Sequence, residues 1–121
     1  MGALNGMLHA QDQLQRVVGY DRREEDVVGR VIHITDMILA CTDELHELLN
    51  ETGWKPWARM RFLKQQEARE EWIDAWHFMM NIALDLDMDE PMIVEMYYAK
   101  HRENLRRQRA GYEHSERQEP V

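Results

Sequence analysis

Four carboxylates in two pairs, Glu44-x-x-Glu47 and Glu71-x-x-Asp74, are the side chains of this sequence best spaced to do chemistry, and 23 residues separate the pairs. On a helix, residues three apart lie on one side with Cβ atoms about 5–6 Å apart. Each pair can therefore aim two carboxylates at one point, and two such helices packed antiparallel bring four together. Like charges so placed repel and raise one another's pKa values unless a cation shares the site. A cluster of hard oxygen ligands suits Mg²⁺, which keeps several waters and binds a few carboxylates together with substrate phosphates.

Spacing alone does not single these pairs out. Glu67/Glu70, Glu113/Glu116 and Glu116/Glu119 share it in a chain with 23 acidic residues, and a solvated acidic face is the ordinary origin of such a pair. The two chosen pairs differ in their setting. Leu45, Leu48 and Leu49 surround the first, and Trp72, Ile73 and Trp76 surround the second. Their helices must face a core, and acidic groups at the margin of a buried stripe are costly.

The elements that position these groups are helices. Leu4 to Val18 forms a first helix with Met7, Leu8, Leu14, Val17 and Val18 on its apolar side. Gly19-Tyr20-Asp21 interrupts it, and a second helix is expected over 24–51. Its stripe of Val27, Val31, Ile34, Ile38, Cys41, Leu45 and Leu48 alternates steps of four and three, the pattern of a packed bundle helix. Glu44 and Glu47 each precede a stripe residue and so flank the seam. Cys41 lies on the stripe and reads as a small buried apolar group; His33 and His46 read as ordinary residues. Thr52-Gly53 ends the helix, and Pro56 disfavours helical geometry at Lys55. Trp54 and Trp57 straddle that lysine, as tryptophans capping a bundle end would. A third helix is expected over 59–86, with an apolar face of Trp72, Ile73, Trp76, Met79, Met80 and Ala83. Asp89 is an N-cap candidate with Pro91 in the following turn. A fourth helix, the most basic part of the chain, runs from there to about Arg109 and ends before Gly111. The fold class is all-α, a bundle of about four helices forming one domain over 1–112, with residues 113–121 expected as a disordered tail. The long stripe and four tryptophans offer more apolar surface than one thin bundle buries, so a homodimer is expected.

Composition excludes several classes. At 121 residues the chain holds one core, and its 44% hydrophobic and 31% charged residues give an ordinary globular balance. A net charge of −8 argues against nucleic acid or an anionic membrane as partner. No apolar run approaches a membrane span, and no signal-peptide pattern opens the chain, so the expected location is cytoplasmic. A single cysteine excludes an internal disulfide framework and a multi-cysteine zinc site.

The two acidic pairs at this separation resemble the signature of the all-α nucleoside triphosphate pyrophosphohydrolases, the MazG-like superfamily. Within it, ELLNETGWKPW followed by EEWIDAWHFMMN is similar to the dimeric-type dUTPases. Gln11 and Leu14 match the family's N-terminal motif, which commonly continues with asparagine or aspartate where this chain has Gln15. Lys100, Asn104, Arg107, Gln108, Gly111 and Tyr112 match its C-terminal K-x3-N-x2-RQ-x2-GY pattern. The resemblance implies Mg²⁺-dependent cleavage of dUTP to dUMP and pyrophosphate. It implies that Glu44, Glu47, Glu71 and Asp74 hold the metal, and that Lys55, Lys100, Asn104 and Arg107 meet phosphate. It places Gln11, Trp57, Phe78 and Asn81 around the base, Phe78 by stacking and Asn81 through an amide that both donates and accepts.

In that mechanism a water made acidic by the cation is the nucleophile, and Glu47, or alternatively Glu44, takes its proton. Two other functions fit the same residues. One is a dCTP-cleaving or broad MazG-like house-cleaning pyrophosphohydrolase, favoured by Gln15. The other is a non-catalytic helical bundle acting as an interaction protein, which a missing metal ligand would favour; none is missing here.

Overall fold

The structure, a computed structural model, describes residues 2–19 and 26–117, with side chains through Gly111. Four helices make up the described residues, which contain no strand: α1 (Ala3–Val18), α2 (Val27–Asn50), α3 (Gln65–Asp85) and α4 (Glu90–Arg117). The all-α expectation holds. The chain divides into two compact units, residues 1–88 with α1–α3 and residues 89–121 with α4. In the first unit α3 is the central element, packed along α2 and against α1. Among the described residues, no helix is long and apolar enough to cross a membrane.

Local chemistry sets each helix end. Gly19 closes α1 in the left-handed region at φ 72°, where a side chain would be strained. Asp26 caps α2 by accepting the Gly29 N–H at 2.9 Å. Residues 20–25, where the sequence places the interruption and the first turn of the second helix, lie outside the described residues. Asp89 caps α4 as expected, accepting the Met92 N–H at 3.0 Å.

Three sequence expectations are corrected. α3 begins at Gln65 rather than at residue 59, because residues 59–64 turn back on the end of α2. An isolated antiparallel bridge pairs Thr52 with Leu63. The Gly53 N–H donates to the Phe62 carbonyl at 2.8 Å, and the Lys64 N–H to the Glu51 carbonyl at 2.9 Å. The Arg61 guanidinium then donates to the Gly53 and Lys55 carbonyls, at 2.8 and 3.0 Å, pinning the loop. Secondly, α4 does not stop before Gly111 but continues to Arg117, since one helical glycine costs only about 1 kcal/mol. Residues 118–121, the end of the expected tail, lie outside the described residues.

The third correction concerns the core. The residues of α2 buried in this fold are Gly29, His33, Met37 and Cys41. Of the expected stripe only Cys41 is among them; Val27, Val31, Ile38 and Leu45 are exposed. Hydrophobic periodicity favours the more apolar face of α2, and the packed face is the other one. The face against α3 is the one carrying its small and hydrogen-bonding side chains. His33 Nδ1 meets the Asp85 carboxylate there, with both side chains buried. The Asn81 amide donates to Met37 Sδ at 3.2 Å, and the Cys41 thiol to the Ala75 carbonyl at 3.6 Å. Burial and then the charge of Glu44 raise the Cys41 pKa, so it stays a thiol, as its packing role requires.

The loop gives a stability prediction. A Cβ on Gly53 would lie 2.7 Å from the Met60 carbonyl oxygen and 2.8 Å from the Phe62 nitrogen, both backbone atoms of the bridged segment. Gly53→Ala is expected to destabilise the fold by about 1–3 kcal/mol, since main chain must shift to admit it. Thermal unfolding measured beside Gly6→Ala, a position with nothing within 4 Å, checks this.

Candidate functional site

The antiparallel seam of α2 and α3 brings the acidic pairs together. Carboxylate oxygens of Glu44, Glu71 and Asp74 lie within 4.8 Å of one another, as do those of Asp43, Glu44 and Glu47. Glu44 belongs to both groups and joins them. Asp43, one position before the first pair, is an addition that i, i+3 spacing does not select. Glu44 and Glu71 are half-buried, whereas Asp43, Glu47 and Asp74 are exposed. One oxygen of Glu44, Oε2, and one of Glu71, Oε2, are buried without a hydrogen-bond partner.

Each carboxylate disturbs the next. Burial, and then the charges of Glu47 and Asp74, push the Glu44 pKa up, against a hydrogen bond with Glu71 that lowers it. Glu71 is pushed up to about 7, first by its hydrogen bond to Glu44, then by burial and by Glu47. The pair therefore holds its protons more tightly than isolated carboxyls do and titrates as a unit. The donor set fits a divalent cation: hard oxygens from two helices, two of them buried and unpartnered, around a charge excess that a cation would relieve.

A cavity of about 350 Å³ adjoins the carboxylates, lined by Gln11, Leu14 and Gln15 of α1, Glu44 of α2, and Asp74, His77, Phe78 and Asn81 of α3. Three of the four residues expected at the base, Gln11, Phe78 and Asn81, meet here. Gln11 and Asn81 are buried and Phe78 is half-buried. Gln15 and His77 also line the cavity. His77 had no role assigned from sequence, and Gln15 registered only as a departure from pattern. Their signal was position: Gln15 is one turn beyond Gln11 on α1, and His77 one turn before Asn81 on α3. Two acceptors in this region, Gln15 Oε1 and Asn81 Oδ1, are buried without a partner.

Other expected site residues lie elsewhere. Trp57 is 76% exposed on the 51–64 loop with the Lys55 ammonium 5.9 Å from its ring centroid, and neither lines this cavity. Lys55 instead borders a second hollow of about 260 Å³ with Trp54, Ala58 and Phe62. Lys100, Asn104 and Arg107 lie exposed on α4, in the second unit. Arg107 donates to Glu103 at 3.1 Å and Arg106 to the same carboxylate at 2.6 Å, holding the Glu103 pKa down at about 2.

The family model described as dUTPase matches residues 3–92, which contain the carboxylates of the α2–α3 seam and every residue lining the cavity beside them. A dCTP pyrophosphatase of Enterobacteria phage T4 is 30% identical over 95 residues, covering 58% of this chain and 55% of the relative. A dCTP pyrophosphatase of Enterobacteria phage LZ5 is 36% identical with the same coverage. The chain thus spans about half the length of the curated relatives it matches. No solved structure matches it.

The carboxylate cluster makes stability depend on pH. A carboxyl whose folded-state pKa lies above its unfolded value holds its proton more tightly when folded. Its contribution is complete below the unfolded value of 4.5 and is lost as pH rises through about 7. The metal-free protein is therefore expected to lose thermal stability between pH 5 and 8, with Mg²⁺ restoring it at pH 8. Glu71→Gln should flatten this slope, as melting curves across that range would reveal.

Proposed function

Because the chain belongs to the dUTPase family, of the all-α nucleoside triphosphate pyrophosphohydrolase type, we propose that it hydrolyses a pyrimidine deoxynucleoside triphosphate to the monophosphate and pyrophosphate with Mg²⁺, dCTP ahead of dUTP. One observation carries the choice of base: the two unpartnered acceptor oxygens, Gln15 Oε1 and Asn81 Oδ1, of residues lining the cavity beside the carboxylates. Buried acceptors require donors. The cytosine amino group offers two N–H bonds, whereas uracil offers one N–H flanked by two carbonyls that would face these oxygens. The relatives from both phages are named for dCTP. Cleavage of dUTP is the second reading, favoured by the WKPW turn and the RQ-x2-GY pattern.

The chain's own groups divide the work. Glu44, Glu47, Glu71 and Asp74 would hold Mg²⁺, which when bound supplies positive charge to the phosphate oxygens and lowers the pKa of water. Glu47 stands at the exposed edge of the cluster, where water reaches it, and is assigned the proton from the attacking water. Glu44, more buried and common to both carboxylate groups, is the alternative base. Phe78 packs against the base face, and Gln11, Gln15 and Asn81 read its edge. Lys55 and the α4 face of Lys100, Asn104 and Arg107 are assigned to phosphate oxygens on their sequence pattern. Trp57 is assigned to the nucleotide on the same ground.

A substrate panel with Mg²⁺, covering dCTP, dUTP, dTTP and the ribonucleotides, tests the assignment. The expected result is the highest kcat/KM for dCTP, then dUTP. No hydrolysis of either would remove the proposal. Glu47→Gln and Asp74→Asn should each lower kcat by about 10²-fold or more while the protein stays folded.

We also propose a homodimer. Val28, Val31, Ile32, Ile38, Leu39, Leu45 and Leu49 of α2 are all exposed, as is Trp72 of α3, which stacks on Trp76 with centroids 5.6 Å apart. Contiguous exposed apolar faces mark interaction surfaces. Sedimentation at tens of micromolar should give twice the 14.6 kDa chain mass; a monomer there would count against the dimer.

A further inference from the structure

We infer that Met37, which nothing about the reaction requires, sets base selectivity by fixing the orientation of the Asn81 amide; the inference rests on the pyrimidine-cleaving function proposed above. An asparagine amide presents either a donor or an acceptor to a ligand, and a rotation of 180° exchanges them. Asn81 can discriminate between bases only if something decides which end faces the ligand. The neighbour that does so is Met37 on α2, whose Sδ accepts from Asn81 Nδ2 at 3.2 Å. Both side chains are buried, Asn81 at 2% and Met37 at 6% exposure.

A thioether sulfur accepts hydrogen bonds and does not donate them. The contact is therefore one-sided. With Nδ2 on the sulfur the amide is satisfied at that end, and rotation would set Oδ1 against the sulfur lone pairs. The carbonyl end is left over, and Oδ1 is the atom buried without a partner in a residue that lines the cavity. Asn81 thus offers an acceptor, which an amino-bearing pyrimidine edge satisfies and a carbonyl-bearing edge does not.

The position of Met37 is itself held from both sides. One turn before it on α2, His33 is joined to Asp85, which lies one turn after Asn81 on α3. One turn after it, the Cys41 thiol donates to the Ala75 carbonyl. These contacts keep the sulfur in register with Asn81. Met37 acts through Asn81 and is therefore a positioning residue.

Met37→Leu tests this, because it conserves volume and removes only the acceptor. The wild-type enzyme, Met37→Leu and Met37→Gln are compared by kcat/KM for dCTP and for dUTP, with thermal unfolding as the folding control. The side-chain amide protons of Asn81 are followed by NMR in the free proteins. Loss of one hydrogen bond's worth of discrimination predicts a dCTP-to-dUTP ratio about tenfold closer to unity in Met37→Leu. The Asn81 amide should exchange faster with solvent or show two orientations there. Met37→Gln, whose side-chain oxygen restores an acceptor, should retain more of the ratio. An unchanged ratio in Met37→Leu, or equal losses for both nucleotides, would overturn the inference and leave the function standing. An Asn81 amide unaltered by Met37→Leu would overturn it without reference to any substrate. Failure of the wild-type enzyme to cleave either nucleotide would instead remove the function on which it rests.

Discussion

Carboxylates whose oxygens lie within 4.8 Å of one another on two packed helices repel unless something shares their charge. Burial makes the repulsion stronger, because half-buried Glu44 and Glu71 are partly deprived of water. The chain can relieve it by holding a proton more tightly there, and Glu71 is pushed up to about 7, first by its hydrogen bond to Glu44 and then by burial and the neighbouring charges. A divalent cation relieves it more completely and leaves the remaining coordination positions to phosphate and water. The same feature that costs stability in the bare fold is thus what suits the seam to the cation-dependent function proposed above.

That seam explains an otherwise odd distribution of side chains. α2 turns Gly29, His33, Met37 and Cys41 toward its partner, while its valines and most of its isoleucines and leucines look outward. A core chosen for apolar burial alone would have used the other face. Going along the helices, the seam passes from the His33–Asp85 pair, through the Met37–Asn81 contact and the Cys41 thiol, to the carboxylates. α1 adds Gln11 and Gln15 beside this line and closes the cavity next to the carboxylates. Specific polar contacts fix one register between α2 and α3, and register is what a site built from both helices needs.

The sequence made much of this legible, for reasons that can be located. The i, i+3 carboxylate pairs and the helical periodicity identified α2 and α3, and the match in Gln11, Phe78 and Asn81 identified residues that do meet in space. The side of α2 that packs could not be read, because periodicity points to its more apolar face, whereas the packed face is set by hydrogen bonds to α3 that no local pattern signals. The start of α3 was missed because Arg59–Lys64 contains no helix breaker; what stops the helix is the pairing of Thr52 with Leu63, a contact between residues eleven apart. His33 was passed over because its partner Asp85 is 52 positions away, and no local spacing signals such a pair. Asp43 was passed over because the i, i+3 pattern draws attention to Glu44 and Glu47 alone.

The central claim is that the α2–α3 seam, rather than the acidic surface in general, holds one divalent cation. Mn²⁺ broadens NMR signals only close to where it binds, so a titration of the backbone amides reads the location directly. Substoichiometric Mn²⁺ should broaden residues 43–47 and 71–74 first, with Asn81 and Gln15 following. Mg²⁺ in excess should reverse it. Broadening spread evenly over the chain's other acidic positions, such as Glu67, Glu70 and Glu95, or unaffected by Mg²⁺, would contradict the account.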